Sequence, residues 1–137
     1  MKSDEVSHSS QAHRPEVIVE FLFDEGVLLI AVRNIGTRDA REIRIKFSKK
    51  ILGPDGNKDI SALLLFQRLQ FLGPQRQISC FVDQMSSYFK RRQPTSLSVV
   101  IEYRDADGRN YQDKIDHNLE IYREMPYLHQ CHSDEEE

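Results

Sequence analysis

Residues Leu28–Phe47, LLIAVRNIGTRDAREIRIKF, decide the fold. In the second half Ile43, Ile45 and Phe47 alternate with Arg44 and Lys46, a period of two that lines one face of a strand with apolar side chains. The first half, Leu28-Leu29-Ile30-Ala31-Val32, is continuously apolar, the pattern of a strand covered on both faces. Between them stand Asn34 and Gly36, residue types that tolerate positive φ and let a chain reverse. The stretch reads as two strands folded into a hairpin on one polar turn.

Upstream, Glu16–Phe23 sets Val17, Val19, Phe21 and Phe23 on one face, and Asp24-Glu25-Gly26 is a tight polar turn into the central stretch. The first three strands are therefore expected to be antiparallel neighbours. Downstream, Gly53-Pro54-Asp55-Gly56-Asn57 marks a loop. Leu63–Leu72 fits a helical face in part, and a short strand is expected around Leu69–Leu72 after an irregular or helical turn. Gln77–Val82 resumes as a strand with Ile78, Cys80 and Val82 on one face. Gln84–Pro94 is a polar connection in which Tyr88 and Phe89 are candidates to plug the core. Thr95–Tyr103 and Arg109–Ile115 form a second hairpin on Asp105-Ala106-Asp107-Gly108, and Leu119–Leu128 finishes as a strand or a short helix. About seven short strands with turn signals every eight to twelve residues predict an all-β, immunoglobulin-like antiparallel sandwich.

A chain of 137 residues suits one domain with a real core. The expected organisation is a disordered leader over residues 1–15, a sandwich over 16–128 and a disordered acidic tail over 129–137. The net charge of −3 comes largely from Asp134-Glu135-Glu136-Glu137, so the body is close to neutral. That argues against nucleic acid as a partner. No apolar run approaches the length that spans a bilayer, and residues 1–16 are too polar for a signal peptide. As given, the chain is expected to be soluble and not membrane-inserted, and an anchor on a tethered protein would have to lie outside it.

Leu28-x-Ile30-x-Val32-x-Asn34-x-Gly36, followed by Ala40, Ile43, Ile45 and Phe47, resembles the start of immunoglobulin-like domains of the CARDB type, a bacterial adhesion-related sandwich. Leu69-x-Phe71-Leu72-Gly73-Pro74 is similar to the step before the penultimate strands of such domains. The Tyr103–Tyr111 hairpin resembles the closing hairpin of small bacterial sandwiches, some of which follow a membrane helix. The likeness spans about Glu16 to Tyr122 and implies a bacterial binding or accessory domain. There is no Trp and no pair of strand cysteines, so the inter-sheet disulfide of antibody domains is absent from the pattern.

The obvious chemistries lack their patterns. His129, Cys131 and His132 are metal-ligand types, but they stand in a polar tail without a supporting motif. Asp105, Asp107 and Asn110 are explained by turn chemistry, since the loop is too short for a calcium-binding EF-hand. Cys80 and His117 could make a nucleophile–base pair only if the fold joined them, and Asp113 and Asp116 are acids on an exposed strand face. Gly53-Pro54-Asp55-Gly56 lacks the Gly-Lys-Ser/Thr ending of a phosphate loop. Lys90-Arg91-Arg92 is the best basic patch, and three loop cations are ordinarily solvated. The reading is a non-enzymatic interaction or accessory module without cofactor or metal, binding an unknown protein partner through a sheet edge or end loops. Asp55, Asn57, Tyr88, Phe89, Lys90, Arg91 and Arg92 are the candidate contact residues. A homodimer through a sheet edge is compatible with that reading, a membrane-tethered bacterial domain is the alternative, and a small β-sandwich metal protein or hydrolase is the outlying one.

Overall fold

The computed structural model describes residues 13–127. The acidic tail, His129, Cys131 and His132 lie outside these residues. Among the described residues seven strands form two antiparallel sheets. Sheet A takes β1 (Val17–Asp24), β2 (Val27–Asn34) and β5 (Gln77–Gln84) in the order β1-β2-β5. Sheet B takes β3 (Ala40–Phe47), β4 (Leu69–Leu72), β6 (Ser96–Arg104) and β7 (Asn110–Asn118) in the order β4-β3-β6-β7. This is an immunoglobulin-like sandwich whose fourth strand pairs with the third. Among the described residues helix is confined to α1 (Leu64–Gln67), α2 (Met85–Lys90) and 3₁₀ segments at Pro54–Gly56, Ile60–Ala62 and Leu119–Tyr127.

The core lies between the sheets, where Val17, Val19, Phe21, Leu28, Ile30 and Val32 meet Ile43, Ile45, Val99, Ile101 and Tyr103. Each fully buried large side chain contributes about 1.5–3 kcal/mol. Phe66 of α1 and Tyr88 of α2, both without solvent exposure, plug the ends, and the Tyr88 hydroxyl donates to the Pro94 carbonyl at 2.6 Å. The β1–β2 connection is the expected tight turn, with Glu25 and Gly26 at positive φ and Asp24 facing Val27, as a two-residue hairpin requires. Leu63–Leu72 divides as expected into a helical turn and a short strand. The segment after β7 is helical rather than extended.

The central stretch is not a hairpin. β2 pairs with β1 and β5, whereas β3 pairs with β4 and β6, so Ile35–Asp39 is an arch that carries the chain from one sheet to the other. Alternation says which face of a strand is apolar, but the two sheets offer that face to the same core, so the pattern cannot assign the sheet. Nor is β2 covered on both faces. Leu29 on its outer side is half-buried, and Ala31 is enclosed because it is small and flanked by the Glu20–Arg33 ion pair.

Asn34 and Gly36 are needed for reasons other than positive φ, which neither adopts. The Asn34 Oδ1 accepts from the N–H groups of Glu16 at 3.1 Å and Gly36 at 3.0 Å. Its Nδ2 donates to the carbonyls of Arg38 at 2.8 Å and Leu72 at 3.0 Å. One buried side chain thus joins the start of β1, the arch and the end of β4. At Gly36 a Cβ would stand 2.2 Å from the Arg14 carbonyl, so no other residue fits without moving backbone. The Arg14 carbonyl also receives the Thr37 N–H and Pro15 is buried, so the packed fold starts before Glu16.

Candidate interaction surface

A two-sheet sandwich has four edge strands, each with a row of backbone N–H and C=O groups that its sheet does not pair. Here the four are treated differently. On β1 the Val17 N–H faces the Tyr103 hydroxyl, the Val19 carbonyl accepts from His117 Nε2 at 3.0 Å, and the Phe21 carbonyl accepts from the Tyr122 hydroxyl at 3.4 Å. His117 and Tyr122 therefore bond to that edge, and Tyr103 lies against its start. Burial pushes the Tyr103 phenol up to about 12, with the neighbouring Asp113 carboxylate acting in the same direction, and burial pushes the His117 imidazole down, which keeps the ring a neutral donor to Val19. β7 carries Asp113, Lys114 and Asp116 along its length, and β4 is only four residues long.

β5 is the exception. It has eight residues, and from Gln77 to Val82 no charge and no proline. At its far end the Gly53 loop approaches closely enough that a Cβ on Gly53 would stand 3.5 Å from the Val82 carbonyl. Asp83 beyond it is buried against Arg91. Over Gln77–Phe81 no hydrogen bond among the described residues occupies the outer backbone edge. The side chains beside it are apolar and exposed: Ile78 at 38%, Phe81 at 47% and, across the turn on β4, Phe71 at 56%. Phe71, Pro74, Arg76 and Ile78 line a shallow groove of about 460 Å³ at the Gln77 end. On the outer face of sheet A, Leu22, Leu29 and Phe81 stand opposite one another on successive strands, so an apolar row crosses the sheet and ends at this edge. Sheet B presents instead a polar face with grooves walled by Arg41, Arg44, Arg68 and Arg104 together with Glu42 and Glu102.

The residues that the sequence offered as contacts divide into two groups. Asp55 and Asn57 are exposed at the loop tip, Lys90 is exposed at the end of α2 and Arg92 just beyond it. Tyr88 is wholly interior, as its reading as a plug required, and Phe89 is half-buried under the Arg123 guanidinium, 4.2 Å from the ring centre. Arg91 is turned inward, where Nη2 donates to Asp83 Oδ2 at 2.6 Å and to the Leu52 carbonyl at 3.0 Å, while its Nε and Nη1 are buried without a partner among the described residues. Ile78, Phe81 and Phe71 were not among the contact residues offered from sequence. The signal that could have found them is the uncharged run Gln77–Val82, since an edge strand that must stay unpaired ordinarily carries a lysine, a proline or an inward charge.

The residues offered for chemistry do not converge. Cys80 faces the core on β5 opposite Ile30, with its thiol pushed up by burial, whereas His117 packs edge-on against Phe21 on β1, and β2 lies between. Asp105 Oδ1 accepts the N–H groups of Asp107 and Arg109 and its Oδ2 accepts the Tyr111 hydroxyl, which are turn contacts. Burial opposes its ionisation, but the Arg109 N–H, the Tyr111 hydroxyl and the Asp107 N–H hold the carboxyl below the usual range. Among the described residues no helix is long and apolar enough to cross a membrane.

A protein-family model described as "Domain of unknown function (DUF8453)" matches residues 3–123, a span that contains both sheets and all four edges. No curated protein and no solved structure matches the chain.

Proposed function

The chain belongs to the DUF8453 family, and from that premise, which carries no activity with it, we propose that the domain is a non-catalytic protein-binding module that takes an extended segment of its partner onto the β5 edge. One observation carries this reading: Gln77–Phe81 is an uncharged backbone edge flanked by exposed Ile78 and Phe81, in a molecule whose corresponding β1 edge is occupied by its own side chains. In strand addition the backbone supplies affinity and alternate side-chain positions supply selectivity. Each added main-chain hydrogen bond contributes about 0.5–1.5 kcal/mol net, and covering Phe81 adds about 1.5–3 kcal/mol. Set against an association cost of roughly 4–15 kcal/mol, these terms describe a reversible contact rather than a permanent one. The bacterial CARDB-type resemblance accords with an accessory binding role, and the separation of Cys80 from His117 accords with a role that needs no nucleophile.

The test is site-specific photocrosslinking in the native cell. A photoreactive side chain replacing Phe81 is expected to form one dominant protein adduct, whereas the same group replacing Lys114 on β7 is not. No adduct from position 81, or equal adducts from both positions, contradicts the reading.

A further inference from the structure

Building on that reading of the edge, we infer that the strand it accepts is β5 of a second copy of this chain, paired antiparallel about a two-fold axis at Ser79. The open stretch is bounded by the Gly73–Arg76 turn at one end and by the Gly53 loop over Val82 at the other, and Ser79 is its midpoint. Pairing about that point sets Gln77 against the partner's Phe81, Ile78 against the partner's Cys80, and Ser79 against the partner's Ser79. All of these are uncharged, so no like charges meet across the new ladder. Opposite residues also keep to the same face, which an antiparallel ladder requires. The apolar rows Leu22–Leu29–Phe81 of the two copies then lie on one side of a continuous six-stranded sheet, β1-β2-β5-β5-β2-β1.

The ends are complementary as well. Arg76 falls level with the partner's Val82, beside the loop that carries the partner's Asp55, and the groove between Phe71, Pro74 and Ile78 opens at that end. Each copy thus brings a cation to the other's acidic loop tip, twice by symmetry. A contact of so few residues belongs with small interfaces, so self-association in the micromolar range is expected.

Sedimentation equilibrium of the full chain, with and without substitution, tests this. A reversible monomer–dimer equilibrium is expected. Ser79→Lys, which sets two ammonium groups face to face at the axis, should weaken it by about tenfold or more. Arg76→Glu should weaken it as well, and adding Asp55→Arg should restore part of the loss. In a background with both native cysteines replaced (Cys80→Ala, Cys131→Ala), Ser79→Cys should form a disulfide-linked dimer on mild oxidation, whereas Gln77→Cys should not. Ser79 is exposed on the sheet surface, so circular dichroism should show its variants folded. A chain that stays monomeric at every concentration, or a dimer indifferent to Ser79→Lys, overturns the inference. If the chain is monomeric while the position-81 adduct captures a different protein, the second copy is excluded and the edge reading stands. If both fail, both are wrong.

Discussion

Asn34 is the residue on which the two sheets are registered. Its amide makes four hydrogen bonds to three separate segments, and its own backbone N–H and carbonyl pair with Arg76 and Gln75 of the β4–β5 turn. Replacing it by Ala would leave several of those buried groups without partners, at about 1–3 kcal/mol each, so a loss of roughly 3–5 kcal/mol in urea unfolding is expected for Asn34→Ala. Asn34→Asp is the sharper variant. It keeps the acceptor for Glu16 and Gly36 but turns an anionic oxygen towards the Arg38 and Leu72 carbonyls, so it should be destabilised although its size is unchanged. A loss below about 1 kcal/mol for both variants would contradict this role. The sequence placed Asn34 and Gly36 at the bend. It misassigned their reason, because a residue type that tolerates positive φ is also one that accepts crowding or many hydrogen bonds, and composition does not separate these uses.

At the scale of elements the difference between β1 and β5 is the main result. β1 is held by His117 and Tyr122 from the last strand and the segment after it, contacts nearly a hundred residues apart in sequence that no local pattern announces. The imidazole is pushed down by burial, so the unfolded chain binds a proton there more readily than the folded one. The contribution is fully present above the ordinary imidazole range and is lost as pH falls through it. Thermal midpoints measured from neutral to mildly acidic pH should therefore fall more steeply for the parent than for His117→Gln, and parallel curves would contradict it. At the other end of β5, Asp83 holds the buried Arg91 guanidinium against the Leu52 carbonyl. Asp83→Ala leaves that cation unpaired and should cost about 3–5 kcal/mol, whereas the double replacement Asp83→Ala with Arg91→Met should recover most of it. Denaturant midpoints of the single and double variants decide the matter. Strand alternation made these elements legible within a residue or two; which edges are covered was not legible, because covering depends on distant partners.

Across the whole molecule the two outer faces differ in kind. Sheet A carries the apolar row that runs to β5, and sheet B carries mixed charges. The near-neutral body read from composition conceals this division, since a total says nothing of sides. The sandwich class followed from strand number and turn spacing. The assignment of β2 and β3 to different sheets did not, because both turn their apolar faces to one core. The end loops drew attention as contact sites because they are polar and carry turn signals. Two of their candidates, Tyr88 and Arg91, hold the fold together from inside, which moves the weight to an edge that reads in sequence as one more ordinary strand. Amide hydrogen exchange of the domain alone and with the protein captured at position 81, whether a second copy or another chain, tests this most directly. The account predicts new protection over Gln77–Phe81 and none over Val17–Phe21; protection at Asp55, Asn57, Lys90 and Arg92 instead, with β5 unchanged, would contradict it.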